Sequence, residues 1–198
     1  YMSLWTNASE AMRIDSSGNV GIGSAPSATI RNDGSSAEKA LQIGARAMLF
    51  SDSGVTTDLQ NNSHFNNADN RVAMATDLGS VYRQYQGVHT FLNAASVSAG
   101  ATQSMQERMR IDATGNVLVG TDNAAVWNNI ANSADDNGHN LRKDGRAAFC
   151  YYNATNGANA TVNINRTGSN GDVIRLYKSG ATVGSISVTG SATSYNTS

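Results

Sequence analysis

The chain has 198 residues and a formal net charge of −1, and only 15% of its residues are charged, well below the roughly 25% of an ordinary domain. This balance, without a cluster of Lys and Arg, argues against nucleic acid as the main partner. Asn, Ser, Thr and Gly together account for 81 residues, which favours turns over long helices. An apolar share of 39% predicts a thin core that neighbouring chains complete.

The patterns of cysteine, histidine and apolar residues exclude further classes. Cys150 is the single cysteine, so no disulfide framework forms within the chain. His64, His89 and His139 lack metal-ligand spacing, and no nucleophile elbow, phosphate loop or dinucleotide fingerprint is present. No apolar run approaches the roughly 18 residues of a membrane span. We therefore expect no metal, no cofactor, no enzyme activity and no membrane insertion.

The first predicted element is a β-hairpin at residues 10–24, EAMRIDSSGNVGIGS. Apolar and polar residues alternate on both sides of SSGN, which is the period of a strand. Asp15 and Gly18 suit a type I turn followed by a left-handed glycine. One face of the hairpin would carry four apolar side chains, those of Met12, Ile14, Val20 and Ile22.

The next residues predict a compact all-β module. LQIGARAML at 41–49 reads as one half-buried strand, and RVAMA, SVYRQYQ and GVHTFLNAA read as three more short strands. In the first of these, alternation places five residues on one face: Leu41, Ile43, Ala45, Ala47 and Leu49.

The hairpin sequence recurs at residues 107–121 as ERMRIDATGNVLVGT, identical to the first copy at nine of fifteen positions, with Gly115 in the place of Gly18. An isolated hairpin is marginal in water. Each copy must therefore bury its apolar face, either against its own module or against the same hairpin of symmetry-related chains. The pairs Arg13/Asp15 and Arg110/Asp112 would lie on the opposite face as weak exposed ion pairs. The apolar set of the second copy is Met109, Ile111, Val117 and Val119.

After residue 123 the sequence no longer resembles the repeated hairpin, and two further turns are predicted. Asp144-Gly145 is typical of a two-residue hairpin, and Ser179-Gly180 is a second turn of this kind. The repeated hairpin and the different sequence after residue 123 divide the chain into three parts. These are the end of a preceding module at 1–26, a β-rich module with its own closing hairpin at 27–123, and a β-rich tip at 124–198.

Five aromatic residues are candidate glycan contacts, since aromatic rings in a β-rich surface combine an apolar body with a polar end. Aromatic rings half-buried in a thin core would explain them equally well. Acidic residues such as Asp69, Asp135 and Asp136 are typical of loops, although glycosidases use two carboxylates. The candidate aromatics are Tyr82, Tyr85, Trp127, Tyr151 and Tyr152.

The repeated motif E-x-M-R-I-D-x-x-G-N-V-x-[IV]-G-[ST] resembles a sequence motif that recurs in tail fibres and tail-spike-like proteins of tailed bacteriophages. The segments RAMLFSDSG and YRQYQGVHTFLNAA resemble the module that separates two copies of this motif in such proteins. The ending GDVIRLYKSGATVGSISVTGSATSYNTS resembles the region just before an endosialidase-type intramolecular chaperone that cleaves itself off. The resemblance implies that Ser198 is the new terminus of a matured fibre, that the protease residues lie beyond it, and that a shaft precedes residue 1.

The same resemblance implies a location in the virion tail and an intertwined homotrimer, with triple β-helix or β-prism segments and a small β-sandwich-like module. The leading hypothesis is a structural and receptor-binding fibre segment that attaches to a host surface glycan, or to a protein receptor. A glycan-degrading enzyme with a site between chains and a non-binding shaft segment are the alternatives.

Overall fold

The computed structural model describes residues 1–26, 39–51, 56–68, 70–126, 137–152 and 160–197. Of these described residues 56% lie in strands and none lies in an α-helix, which confirms the predicted all-β fold. Accordingly, no helix in the described part of the chain is long and apolar enough to cross a membrane. Trimerisation and the triple β-helix, β-prism and sandwich-like segments stay predictions.

The chain divides into two compact units, Tyr1–Ala154 and Thr155–Ser198. The module boundaries predicted from the repeat, after residues 26 and 123, both fall within the first unit and stay predictions.

The first unit is built on a twelve-stranded sheet and a small two-stranded one. In the large sheet the strands follow chain order, β1 to β6 and then β9 to β14, and only β3 and β4 run parallel. The strands are β1 Met2–Thr6, β2 Ser9–Ile14, β3 Val20–Ile22, β4 Lys39–Ile43, β5 Ala47–Ser51, β6 Thr56–Asn61, β7 His64–Phe65, β8 Arg71–Val72, β9 Asp77–Tyr85, β10 Val88–Val97, β11 Gln106–Ile111, β12 Val117–Val119, β13 Gly138–Leu141 and β14 Ala147–Cys150.

The second unit holds an antiparallel three-stranded sheet in chain order. Ser179 and Gly180 both have positive φ and join its first two strands as a two-residue turn, the type that suits the twist of a hairpin. The strands are β15 Gly171–Lys178, β16 Ala181–Val188 and β17 Thr193–Thr197.

The turn at Asp144-Gly145 differs from the prediction. Gly145 has a φ of +87°, but Asp144 does not share a positive φ, as a two-residue type I′ turn would require. The Gly145 amide instead donates to Arg142 and the Arg142 amide to Arg146. This is the pattern of Gly18 and Gly115, whose φ values are +83° and +93°, so all three hairpins use a type I turn closed by a left-handed glycine.

The strand predicted at 41–49 is wrong as one element, because the chain turns over Gly44, Ala45 and Arg46 between β4 and β5. Gly44 has a φ of +59°, which ends the strand. A three-residue connection preserves the odd–even alternation, so Leu41 and Leu49 still face each other directly.

The repeated sequence encodes a bulged hairpin. In both copies the residue after the glutamate has no partner in the preceding strand, so the pairing register shifts there. This residue is Ala11 in the first copy and Arg108 in the second. A bulge brings residues three apart onto one face. Glu10 and Arg13 can therefore pair, with two hydrogen bonds of 2.5 Å, and Glu107 and Arg110 pair in the same way at 2.6 and 2.7 Å.

The aspartate of each copy holds the turn rather than pairing with the arginine. Asp15 accepts from the Asn19 amide at 2.8 Å and Asp112 accepts from that of Asn116 at 2.9 Å. The asparagine then bonds to the segment that follows, a strand residue in the first copy and a residue of the next turn in the second. Asn19 accepts from the amide of Ala40 at 3.1 Å, and Asn116 accepts from that of Lys143 at 3.3 Å. The repeat thus specifies both a turn and its attachment to the segment that follows.

Candidate functional site

The two faces of the large sheet differ in what covers them. In β5 and β6 burial alternates along the strand, as expected for a sheet with one covered face. Met48 and Phe50 are almost completely buried, whereas Leu49 between them is 41% exposed and its partner Leu59 is 58% exposed. One face is therefore covered by the chain itself, and the other is left open.

The open face carries one continuous line of side chains, which we call the apolar row. Each member is the direct register partner of the next, and each of the twelve strands contributes one residue. At about 4.8 Å per strand the row is about 50 Å long, measured along the sheet. The apolar row consists of Met2, Ile14, Val20, Leu41, Leu49, Leu59, Tyr82, Phe91, Met109, Val119, His139 and Phe149.

Many members of the apolar row remain accessible in the single chain. Leu59 and Met2 are more than half exposed, and Phe91, Val119 and Phe149 are between 41% and 48% exposed. Around Leu49, Leu59, Tyr82 and Phe91 the face is concave and encloses about 680 Å³. Soluble single chains rarely leave so long an apolar patch uncovered.

The covered face is closed by the segment that contains β7 and β8. Phe65 packs on Phe50 with ring centroids 5.7 Å apart. Asn62, fully buried, donates to the carbonyls of Ala75 and Leu78 at 3.0 Å and accepts from the Ala75 amide at 2.7 Å. These contacts hold the covering segment to the sheet on the face opposite the apolar row.

A buried charged cluster lies under this covering segment. Asp58 is completely buried and accepts from Arg83 through two hydrogen bonds of 3.0 Å and from Arg71. Burial lowers the pKa of Arg71 from its ordinary value, and the charge of Asp58 opposes that shift. The Arg71 guanidinium also lies 4.2 Å from the centre of the Phe65 ring. The cluster joins the sheet to its cover.

The predicted glycan-contact aromatics do not form one site. Tyr82 is a member of the apolar row, where its ring lies 5.0 Å from that of Phe91 and its hydroxyl 2.6 Å from Nδ1 of His89. Tyr85, three residues on, lies on the other face at the end of β9 and is 44% exposed.

The remaining candidates lie elsewhere in the chain. Tyr151, 45% exposed, and Tyr152 follow β14, five strands from β9 in the sheet. The Tyr152 amide donates to Asn137 at 2.6 Å. Trp127 and Ser198 lie outside the described residues, as do Asp69, Asp135 and Asp136.

In the part of the chain that the structure describes, no group of three or more His, Cys, Asp or Glu side chains is arranged to hold a metal ion. Comparison with protein-family models, with curated proteins and with solved structures found no match. The apolar row is thus the feature of the first unit from which a function can be argued.

Proposed function

We propose that this chain is a structural and receptor-binding segment of a bacteriophage tail fibre, which assembles as a homotrimer and attaches to polysaccharide on the bacterial surface. The resemblance of the repeated hairpin and of the C-terminal sequence supplies the class of protein and the number of chains. The apolar row is the single structural observation that carries the proposal, because it gives copies of the chain a surface on which to pack.

Self-association follows from the free energy of the open face. Fully burying a leucine side chain stabilises by about 1.5–3 kcal/mol, and 58% of Leu59 is still exposed. Covering that part would contribute about 1–2 kcal/mol per chain. Leu59 is one of twelve positions in the apolar row, several of them partly exposed, and the row runs through both copies of the repeated hairpin. Burial against other copies is one of the two alternatives that the sequence leaves open for these hairpins.

Assembly of several chains would also strengthen adhesion through sites that are weak one by one. Sugar sites that bind weakly as single copies act together when several copies are linked at short distance. A rod of identical chains presents each surface loop and each exposed strand face once per chain.

The assembly step is tested by Leu59→Asp, which places a charge in the centre of the apolar row. Desolvating an unpaired carboxylate costs several kcal/mol, so the variant should sediment as a single chain. Tyr85→Asp, on the opposite face of the same sheet, is the matched control and should keep the wild-type oligomer. An unchanged oligomer in Leu59→Asp would show that the apolar row is not the contact.

Adhesion is tested with fluorescently labelled full-length chain and a panel of bacterial strains. Binding should be restricted to certain strains, should disappear after periodate oxidation of the cell surface, and should weaken in Leu59→Asp. Absence of binding to every strain by an intact oligomer would contradict the receptor-binding part of the proposal and leave a structural shaft segment.

A further inference from the structure

The three-stranded sheet of the second unit also has two unlike faces. On one face Ile174, Ile186 and Tyr195 are successive register partners. On the other face, polar side chains form a connected network beside an aromatic ring. The network consists of Asp172, Arg175, Tyr177, Ser185, Ser187 and Asn196.

We propose that this polar face is a carbohydrate-binding site for neutral hexose units of a surface polysaccharide, with the Tyr177 ring as the stacking platform. The inference rests on the proposed function, because it names the site through which the fibre segment would hold its glycan. None of the aromatic residues singled out in the sequence belongs to it.

The hydrogen bonds of the network fix its side chains in place. Arg175 donates to Asp172 at 3.0 and 2.9 Å, and Ser187 donates to the other carboxylate oxygen at 2.6 Å. Asn196 donates to Ser185 at 3.2 Å and to Ser187 at 2.9 Å. A polar set held in this way loses little side-chain entropy when a ligand binds, which favours affinity.

Enough hydrogen-bonding capacity remains for a ligand. Both amide protons of Asn196 are used within the network, whereas its Oδ1 accepts no hydrogen bond from the described residues. The Asp172 carboxylate already accepts from Arg175 and Ser187, and Ser185 also acts on it, so the free acceptor of the network is the amide oxygen of Asn196. The site can therefore accept from the hydroxyl groups of a sugar.

The aromatic ring completes the arrangement. Tyr177 is 58% exposed, and its hydroxyl lies 3.5 Å from the Arg175 guanidinium. A tyrosine held at its polar end offers the apolar part of the ring to a ligand. A hexose has the matching features, since one side is covered by C–H groups and its edge carries hydroxyls.

Charge selects a neutral sugar over an acidic one. Hydrogen bonds from Ser187 and then from Arg175 lower the pKa of Asp172 to about 2, so the carboxylate is ionised at neutral pH. The positive charge of Arg175 is already neutralised by this partner. A sugar carboxylate would face the negative charge of Asp172, while Arg175 is already paired. Arg166 lies beside the Asp172 carbonyl at 3.4 Å, but its guanidinium is bonded to Ser169.

Stability alone is a weak explanation for the network. Exposed ion pairs contribute little to folding, and the side chains of Arg175 and Asp172 are 52% and 28% exposed. Nothing in the described part of the second unit buries this face.

The test applies full-length chain to an immobilised oligosaccharide array that includes neutral hexoses and sugars bearing carboxylates. Wild type should bind a subset of the neutral hexoses. Tyr177→Ala and Asn196→Ala should each weaken that binding at least tenfold, with unchanged sedimentation and circular dichroism. The matched control is Tyr195→Ala, an 81% exposed tyrosine on the opposite face of the same sheet, which should bind as wild type does.

The outcomes separate this inference from the proposed function. If wild type adheres to bacteria but Tyr177→Ala and Asn196→Ala bind as well as it does, the site is wrong and the proposed function stands. Binding only to carboxylated sugars overturns the ligand class. A wild-type chain that binds neither cells nor the array overturns the proposed function and this site together.

Discussion

Replacing Asp58 with asparagine tests the arrangement of the covered face. The substitution preserves the size of the side chain but removes the charge that Arg71 and Arg83 share. Arg71 has only 9% of its side chain exposed, so it cannot recover its hydration without opening the cover. Arg71 would then lose its Asp58 partner while the positive charge of Arg83 stays nearby.

The size of the effect follows from the burial of the three groups. Removing one member of a buried ion pair typically costs 3–5 kcal/mol, because an uncompensated charge remains. Asp58 is 0% exposed and accepts three hydrogen bonds from charged donors, so we expect the upper half of that range, about 4–5 kcal/mol. This is a large part of the 5–15 kcal/mol by which ordinary domains are stable.

Urea unfolding followed by circular dichroism measures the loss. The matched control is Asp77→Asn, because Asp77 also pairs with an arginine, Arg46, but its side chain is 48% exposed; exposed ion pairs contribute little, so this change should shift the urea midpoint far less. Similar shifts in the two variants would refute the reasoning that a buried charge cluster fastens the covering segment to the sheet.

Three further predictions concern the repeated hairpin. Gly18→Ala should cost about 1–2 kcal/mol, since Gly18 has a φ of +83° and the Lys39 side chain lies 3.3 Å from where a Cβ would stand; an unchanged thermal midpoint would contradict it. Asn116→Ala should cost about 1–3 kcal/mol in urea unfolding, because the Lys143 amide loses its acceptor; a shift within error would exclude that role. Burial raises the pKa of Asp112, but hydrogen bonds, chiefly from Asn116, outweigh it and lower the pKa to about 2. Because the folded pKa lies below the unfolded one, this stabilisation is present above about pH 4 and is lost as the pH falls toward 2. Wild type should therefore lose more stability than Asp112→Asn between pH 5 and pH 2, and parallel curves would contradict it.

Local patterns predicted the parts of the fold that depend on neighbouring residues. The alternation at Met12, Ile14, Val20 and Ile22 was enough to place these side chains on one face, and the structure puts that face on the open side of the sheet. Asp15 and Gly18 predicted the turn because its geometry depends on only four residues.

Features that join distant residues could not be predicted in this way. Asp58 and Arg83 are 25 positions apart and meet only because β6 pairs with β9. The break at Gly44 was missed because the apolar alternation continues through the turn. Tyr82 and Tyr85 were both candidate glycan contacts, yet strand residues an odd number of positions apart point to opposite faces. The network at Asp172 and Asn196 also depends on cross-strand register.

The most direct test of the account is the mass of the full-length chain in solution. Sedimentation equilibrium at micromolar concentration should give a single species of three chain masses, where one chain is 20.7 kDa, and this species should persist on dilution because the apolar row is buried between copies. A folded, β-rich species of one chain mass would show that the apolar row stays open to water and would contradict the assembly on which the proposed function rests.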